Sequence, residues 1–102
     1  MVADALDHLA SFDEKDAPAS AEALYRRSLA IKEQADGPDD VLLIPTLRGI
    51  GWMCYEQGRG VEGRAFLQRS LELGEKYHLQ SVVDRTKSRI QQMYTPYVKK
   101  ES

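Results

Sequence analysis

Asp39 and Asp40 are adjacent carboxylates, a pairing that can hold a divalent cation or share a proton transfer. No third ligand follows at a suitable spacing, and Gly37-Pro38-Asp39-Asp40 has the composition of a helix start, where negative side chains favour the dipole. Capping is the expected role. His8 and His78 lie at opposite ends of the chain without a Cys or Asp cluster beside either, so neither has the company that a metal or general-base site needs. Cys54 falls on the inward stripe of a helix and reads as a small buried apolar residue, not a nucleophile. Ser28 and Ser70 lack the histidine partner that a hydrolase serine requires. The glycines at 49, 51, 58, 60 and 63 match no phosphate-loop spacing and suit turns or close packing. No catalytic residue, metal or cofactor is expected. Trp52 and Tyr55 leave two readings open: aromatics of no special role, or a recognition site, since aromatics flanked by Arg48 and Glu56 have the composition of a binding hot spot.

The elements that carry these residues repeat. Residues 21–31, AEALYRRSLAI, and residues 63–73, GRAFLQRSLEL, share Ala23/Ala65, Arg27/Arg69, Ser28/Ser70 and Leu29/Leu71 at an offset of 42. Four identities in eleven positions compare with about one expected by chance. Each copy is helical by period. Ala21, Leu24, Tyr25, Ser28, Leu29 and Ile31 fall inward and leave Glu22, Arg26, Arg27, Lys32 and Glu33 outward, and Phe66, Leu67, Ser70, Leu71 and Leu73 repeat the inward stripe. An amphipathic stretch precedes each copy, Val2-Ala5-Leu6-Leu9-Phe12 and then Leu47-Ile50-Gly51-Cys54-Tyr55. Asp16-Ala17-Pro18, Gly37-Pro38-Asp39-Asp40 and Gly58-Arg59-Gly60 punctuate the helices, with Gly58 ending the third in a left-handed conformation. Pro45 starts the third helix late, near Ile44, or kinks it there. A fifth helix is expected from about Gln80 to Tyr94, stopped by Pro96. Val83, Thr86, Ile90 and Met93 form its apolar side or, equally well, Leu79, Val82, Val83 and Thr86. The spacing predicts one all-α domain over residues 1–95: a helix pair at about 2–35, a second at about 42–77, a capping helix at about 80–94, and a tail at 96–102.

These residues resemble the tetratricopeptide repeat, whose helix-pair motif runs Trp-x2-Leu-Gly-x2-Tyr, then Ala-x3-Phe, then Pro. The matching positions are Leu47, Ile50, Gly51, Cys54, Gly63 and Leu67 in the second unit, and Ala5, His8, Leu9, Phe12, Ala21 and Tyr25 in the first. The 42-residue spacing, with phrases such as Tyr55-Glu56-Gln57-Gly58-Arg59, is similar to the kinesin-light-chain subtype. The resemblance implies an α-α superhelix of antiparallel helix pairs, with a protein or peptide held in a concave groove lined by the first helix of each pair. It places Arg48, Gly49, Trp52, Tyr55 and Glu56 on or near that groove. Arg48 and Gly49 stand where the family often carries backbone-holding asparagines, and the lysine-and-asparagine pattern that captures a chaperone's terminal carboxylate is absent. Gly51 lacks a side chain where the helices of a pair must approach, and Ala21, Ala23, Gly63 and Ala65 repeat that economy on the opposing helix.

The 102 residues suffice for one core, and 16 acids against 14 bases leave a charge of −2. That balance lacks the broad cationic field of a protein held by nucleic-acid phosphates. With no leader-like opening, no membrane-length apolar run and one cysteine, a cytoplasmic protein with neither a membrane nor a nucleic-acid partner is expected. The total conceals an asymmetry: residues 1–40 hold ten acids and four bases, a balance of −6, and residues 41–102 hold six acids and ten bases, a balance of +4. Arg85, Lys87 and Arg89, with Lys99 and Lys100, concentrate the basic end. Such polarity suits an acidic partner or head-to-tail contact between copies. The expected function is a non-catalytic protein-interaction scaffold. The alternatives are a self-assembling homo-oligomer, since two and a half repeats fall short of the roughly three that a stable array needs, and an effector-sensing accessory domain.

Overall fold

The computed structural model describes residues 2–37 and 40–101, with side chains as far as Gln92. Asp39, with the capping role expected of it, and the side chains of Met93, Lys99 and Lys100 lie outside the described residues. The helices run α1 (Val2–Asp13), α2 (Pro18–Asp36), α3 (Leu43–Glu56), α4 (Gly60–Lys76) and α5 (Gln80–Glu101). Each packs on the next in sequence, the serial contact that stacked helix pairs require.

Local chemistry sets the boundaries. Pro18 opens α2 as its first residue, where its fixed φ suits the helix and its missing N–H costs no bond. Pro45 is the third residue of α3, still within the first turn, so the helix begins just ahead of it and stays whole. Gly58, at φ +86°, closes α3: the N–H groups of Gly58 and Arg59 donate to the carbonyls of Tyr55 and Cys54 at 3.0 and 2.8 Å. His78, at φ +58°, takes the same place after α4. The stop expected at Pro96, and the tail from 96, are not what forms, because α5 continues to Glu101. A proline deletes one backbone bond and crowds one turn, a cost of about 3 kcal/mol that a helix can absorb without ending.

The core centres on α3, whose Leu43, Leu47, Ile50, Met53 and Cys54 are almost wholly inaccessible. From α4, Leu67, Ser70, Leu71 and Leu73 face inward as their period implies. Val83 and Thr86, common to both expected registers of the fifth helix, are buried, and Leu79 and Val82 pack against the core.

Two expectations fail. The buried side of α1 is Ala3, Leu6 and Ala10, while Val2, Leu9 and Phe12 are 62%, 54% and 82% exposed. Two methyl-sized residues seven apart let α1 approach α2 so closely that the Ser28 hydroxyl donates to the Ala3 carbonyl at 3.1 Å. The motif match at Ala5, His8, Leu9 and Phe12 therefore does not follow the packed face. On α2, Glu22 and Lys32 are buried instead of outward. The Lys32 ammonium donates to the Asp7 carboxylate, the Leu42 carbonyl and the Thr46 hydroxyl at 2.9, 3.1 and 3.0 Å. Glu22 accepts from Arg26 at 2.7 Å, from Gln57 at 2.8 Å and from Arg59. These two clusters tie both earlier helices to α3 and fix how the groove residues of α3 are presented.

Candidate partner-binding groove

Arg48, Trp52 and Tyr55 follow one another at four- and three-residue steps, so α3 presents them on one face. The Trp52 and Tyr55 rings lie 5.0 Å apart with a 36° tilt. From α5, the Arg89 guanidinium sits over the Trp52 ring at 4.2 Å, a cation–π contact that holds the indole in place. Trp52 is half-buried between two hollows.

The first hollow, of about 180 Å³, is bounded by Arg48, Gly49 and Trp52 of α3, Arg89 of α5, Tyr25 of α2 and Glu14 from the turn after α1. Gly49 is needed there because a Cβ would stand 2.6 Å from the Tyr25 ring. The Tyr25 hydroxyl donates to the Glu14 carboxylate, and burial together with that carboxylate pushes the phenol above its usual range. The second hollow, of about 350 Å³, lies across Trp52 against Glu14, Lys15, Met53 and the exposed Glu56.

Arg85 and Arg89 are one turn apart on α5. Lys87, midway between them, is exposed and projects about 200° around the helix from Arg85. Arg48 is half-buried, and burial, followed by the charges of Arg85 and Arg89, holds its pKa below the usual guanidinium value. Its buried Nε has no hydrogen-bond partner among the described residues. Two groups that stand apart along the chain are thus brought together: Arg89 joins Arg48 and Trp52 at one hollow, Arg85 lies close enough for its charge to act on Arg48, and Lys87 is not part of the group. Sequence reasoning missed Glu14 and Tyr25 as members of this site. The period of α2 places Tyr25 in the core, and nothing local in Asp13-Glu14-Lys15 marks Glu14 as facing α3.

Among the described residues no three His, Cys, Asp or Glu side chains come together as a metal group would need. No described helix is long and apolar enough to cross a membrane.

Residues 2–76, the whole of α1 to α4, match the family model of the tetratricopeptide repeat. The chain belongs to the tetratricopeptide repeat family. No curated protein matches it. Tetratricopeptide repeats generally act as protein-interaction modules, and the family's close-packing pair is visible here. A Cβ on Gly51 would stand 2.8 Å from the Gly63 carbonyl oxygen, and one on Gly63 would overlap the Gly51 oxygen. Within this repeat protein Gly51 and Gly63 let α3 and α4 touch backbone to backbone; Arg48 and Trp52 line the hollows, while the Tyr55 ring lies towards Gly60 at the start of α4.

Proposed function

We propose that this tetratricopeptide protein is a non-catalytic interaction scaffold that takes a protein or peptide segment along Arg48, Trp52, Tyr55 and Glu56, with Arg85 and Arg89 at the edge. The observation that carries the proposal is Trp52, held by Arg89 at 4.2 Å with a hollow on either side. A large aromatic immobilised before binding offers contact area with little entropy left to lose, which is the character of a hot-spot anchor. The 42-residue spacing supports the kinesin-light-chain-like subtype, and a buried lone cysteine suits a cytoplasmic protein. Pull-down from source extract with wild type and Trp52→Ala tests the groove. Trp52→Ala is expected to lose the partners that wild type retains, and identical partner sets would remove the groove from the function.

The exposed Val2, Leu9 and Phe12 of α1 favour a second reading, self-assembly, in which a second copy covers that apolar face and the −6 and +4 halves meet. Light scattering over a concentration and salt series checks it. Growth in mass with concentration, weakened by salt, is the expected sign, and a strict monomer at high concentration excludes it.

A further inference from the structure

Resting on the groove function, we infer that the hollow between Arg48 and Arg89 receives the carboxylate of a single Asp or Glu side chain from the partner segment. Three guanidinium groups, of Arg48, Arg85 and Arg89, gather at this end of the groove. The one carboxylate that lines the hollow, Glu14, already accepts the Tyr25 hydroxyl. Three guanidinium groups against one carboxylate leave an excess of positive charge here, and the buried Arg48 Nε has no acceptor among the described residues. An entering carboxylate offsets that excess, because a guanidinium fork matches two carboxylate oxygens and the anion relieves the repulsion among the arginines.

Size and the neighbouring charges narrow the ligand. About 180 Å³ is below the roughly 300–1,000 Å³ of pockets that enclose a free small molecule, and it suits one side chain. Across Trp52 the second hollow carries Glu14 and Glu56 against Lys15 alone, so a run of acids or a phosphate backbone would be repelled at its next step. A phosphorylated side chain, bulkier and carrying close to two charges, would crowd Glu14 in the same volume.

Trp52 is the sole tryptophan, so its emission reports directly on this hollow. The full chain is titrated with three pentapeptides blocked at both ends and identical except for a central Glu, Gln or phosphoserine. The Glu peptide is expected to change Trp52 emission saturably, to bind at least about tenfold more tightly than the Gln peptide, and to weaken as salt rises. Arg48→Gln is expected to bring the Glu peptide to the level of the Gln peptide. Lys87→Gln, on the opposite side of α5, leaves it unchanged. Arg89→Gln carries the same expectation as Arg48→Gln should the latter not fold by circular dichroism. Equal binding of the Glu and Gln peptides, tighter binding of the phosphoserine peptide, no binding, or arginine variants that match wild type would each overturn the inference. The pull-down separates the two proposals. Partners lost with Trp52→Ala but kept with Arg48→Gln leave the groove standing without its carboxylate pocket, whereas partners kept with Trp52→Ala remove the groove itself.

Discussion

Lys32 and Glu22 occupy outward positions of the α2 stripe, yet each is 8% exposed and each reaches α3 or the turn after it. Because Asp7 keeps some contact with water, Lys32→Met should cost about 2–3 kcal/mol, less than the roughly 3–5 of breaking a fully buried pair. Pairing it with Asp7→Asn should recover most of that, since the stranded charge is then gone. Urea denaturation of the three variants measures it, and a double variant as unstable as Lys32→Met would contradict the account. At Glu22, burial by itself raises the carboxyl pKa, but the Arg59, Arg26 and Gln57 donors outweigh it and hold the value at about 2, against an ordinary 4.5. A depressed folded pKa means that the contribution is complete above about pH 4.5 and is lost as pH falls towards 2. With Arg26 and Arg59 about 40% exposed and screened by solvent, that contribution is on the order of 1–3 kcal/mol. The urea midpoint of wild type should therefore drop between pH 4.5 and 2, and that of Glu22→Gln, already weaker at pH 7, should drop less over the same range.

At the scale of the helix pair, the two glycines facing each other across α3 and α4 decide how near the axes come. Gly63→Ala places a methyl against a backbone oxygen that cannot rotate away, and should cost about 1–3 kcal/mol. Gly60→Ala, whose added Cβ would meet only the Tyr55 ring at an ordinary 3.8 Å, should be neutral or slightly stabilising. Thermal melts of the two variants distinguish close packing from a general aversion of α4 to alanine, for which equal losses would be the sign. This pair was legible in the sequence because Gly51 and Gly63 fall at fixed steps from an unambiguous apolar stripe. The register of α1 was not. A 12-residue helix carrying both Leu9/Phe12 and Ala3/Ala10 offers two candidate faces, and the larger side chains are the more conspicuous in a hydropathy pattern. What selects the alanines is the approach of Ser28 to the Ala3 carbonyl, a contact between residues 25 positions apart.

Over the whole molecule, stability should be graded along the stack. The central α3 packs between α2 and α4, whereas α1 leaves Val2, Leu9 and Phe12 to solvent. Native-state hydrogen exchange should find the slowest amides in α3 and exchange at least about tenfold faster in α1, the pattern of a repeat array that opens from one end. Equal protection of α1 and α3 would instead indicate a single cooperative unit. The same stacking assembles the groove. Arg48, Trp52 and Tyr55 were recognisable in the sequence as one helix face, and Arg85, Lys87 and Arg89 as a basic patch, but that Arg89 lies over the Trp52 indole depends on the angle at which α5 packs on α4. No local signal carries that angle.

Residue order alone carried the helices, the boundaries at Pro18 and Gly58, the 42-residue repeat and the close packing at Gly51 and Gly63, because helical period and turn chemistry are local and a repeat is a pattern in the residue string; it left Pro45 as a late start or a kink and stopped α5 too early. Tertiary packing settled which charges are buried, which face of α1 is covered, and that a carboxylate and a phenol from the first pair complete a hollow between α3 and α5. Burial, pairing and the field around Arg48 depend on groups brought together from distant parts of the chain, and a side chain's own neighbours in sequence do not encode them.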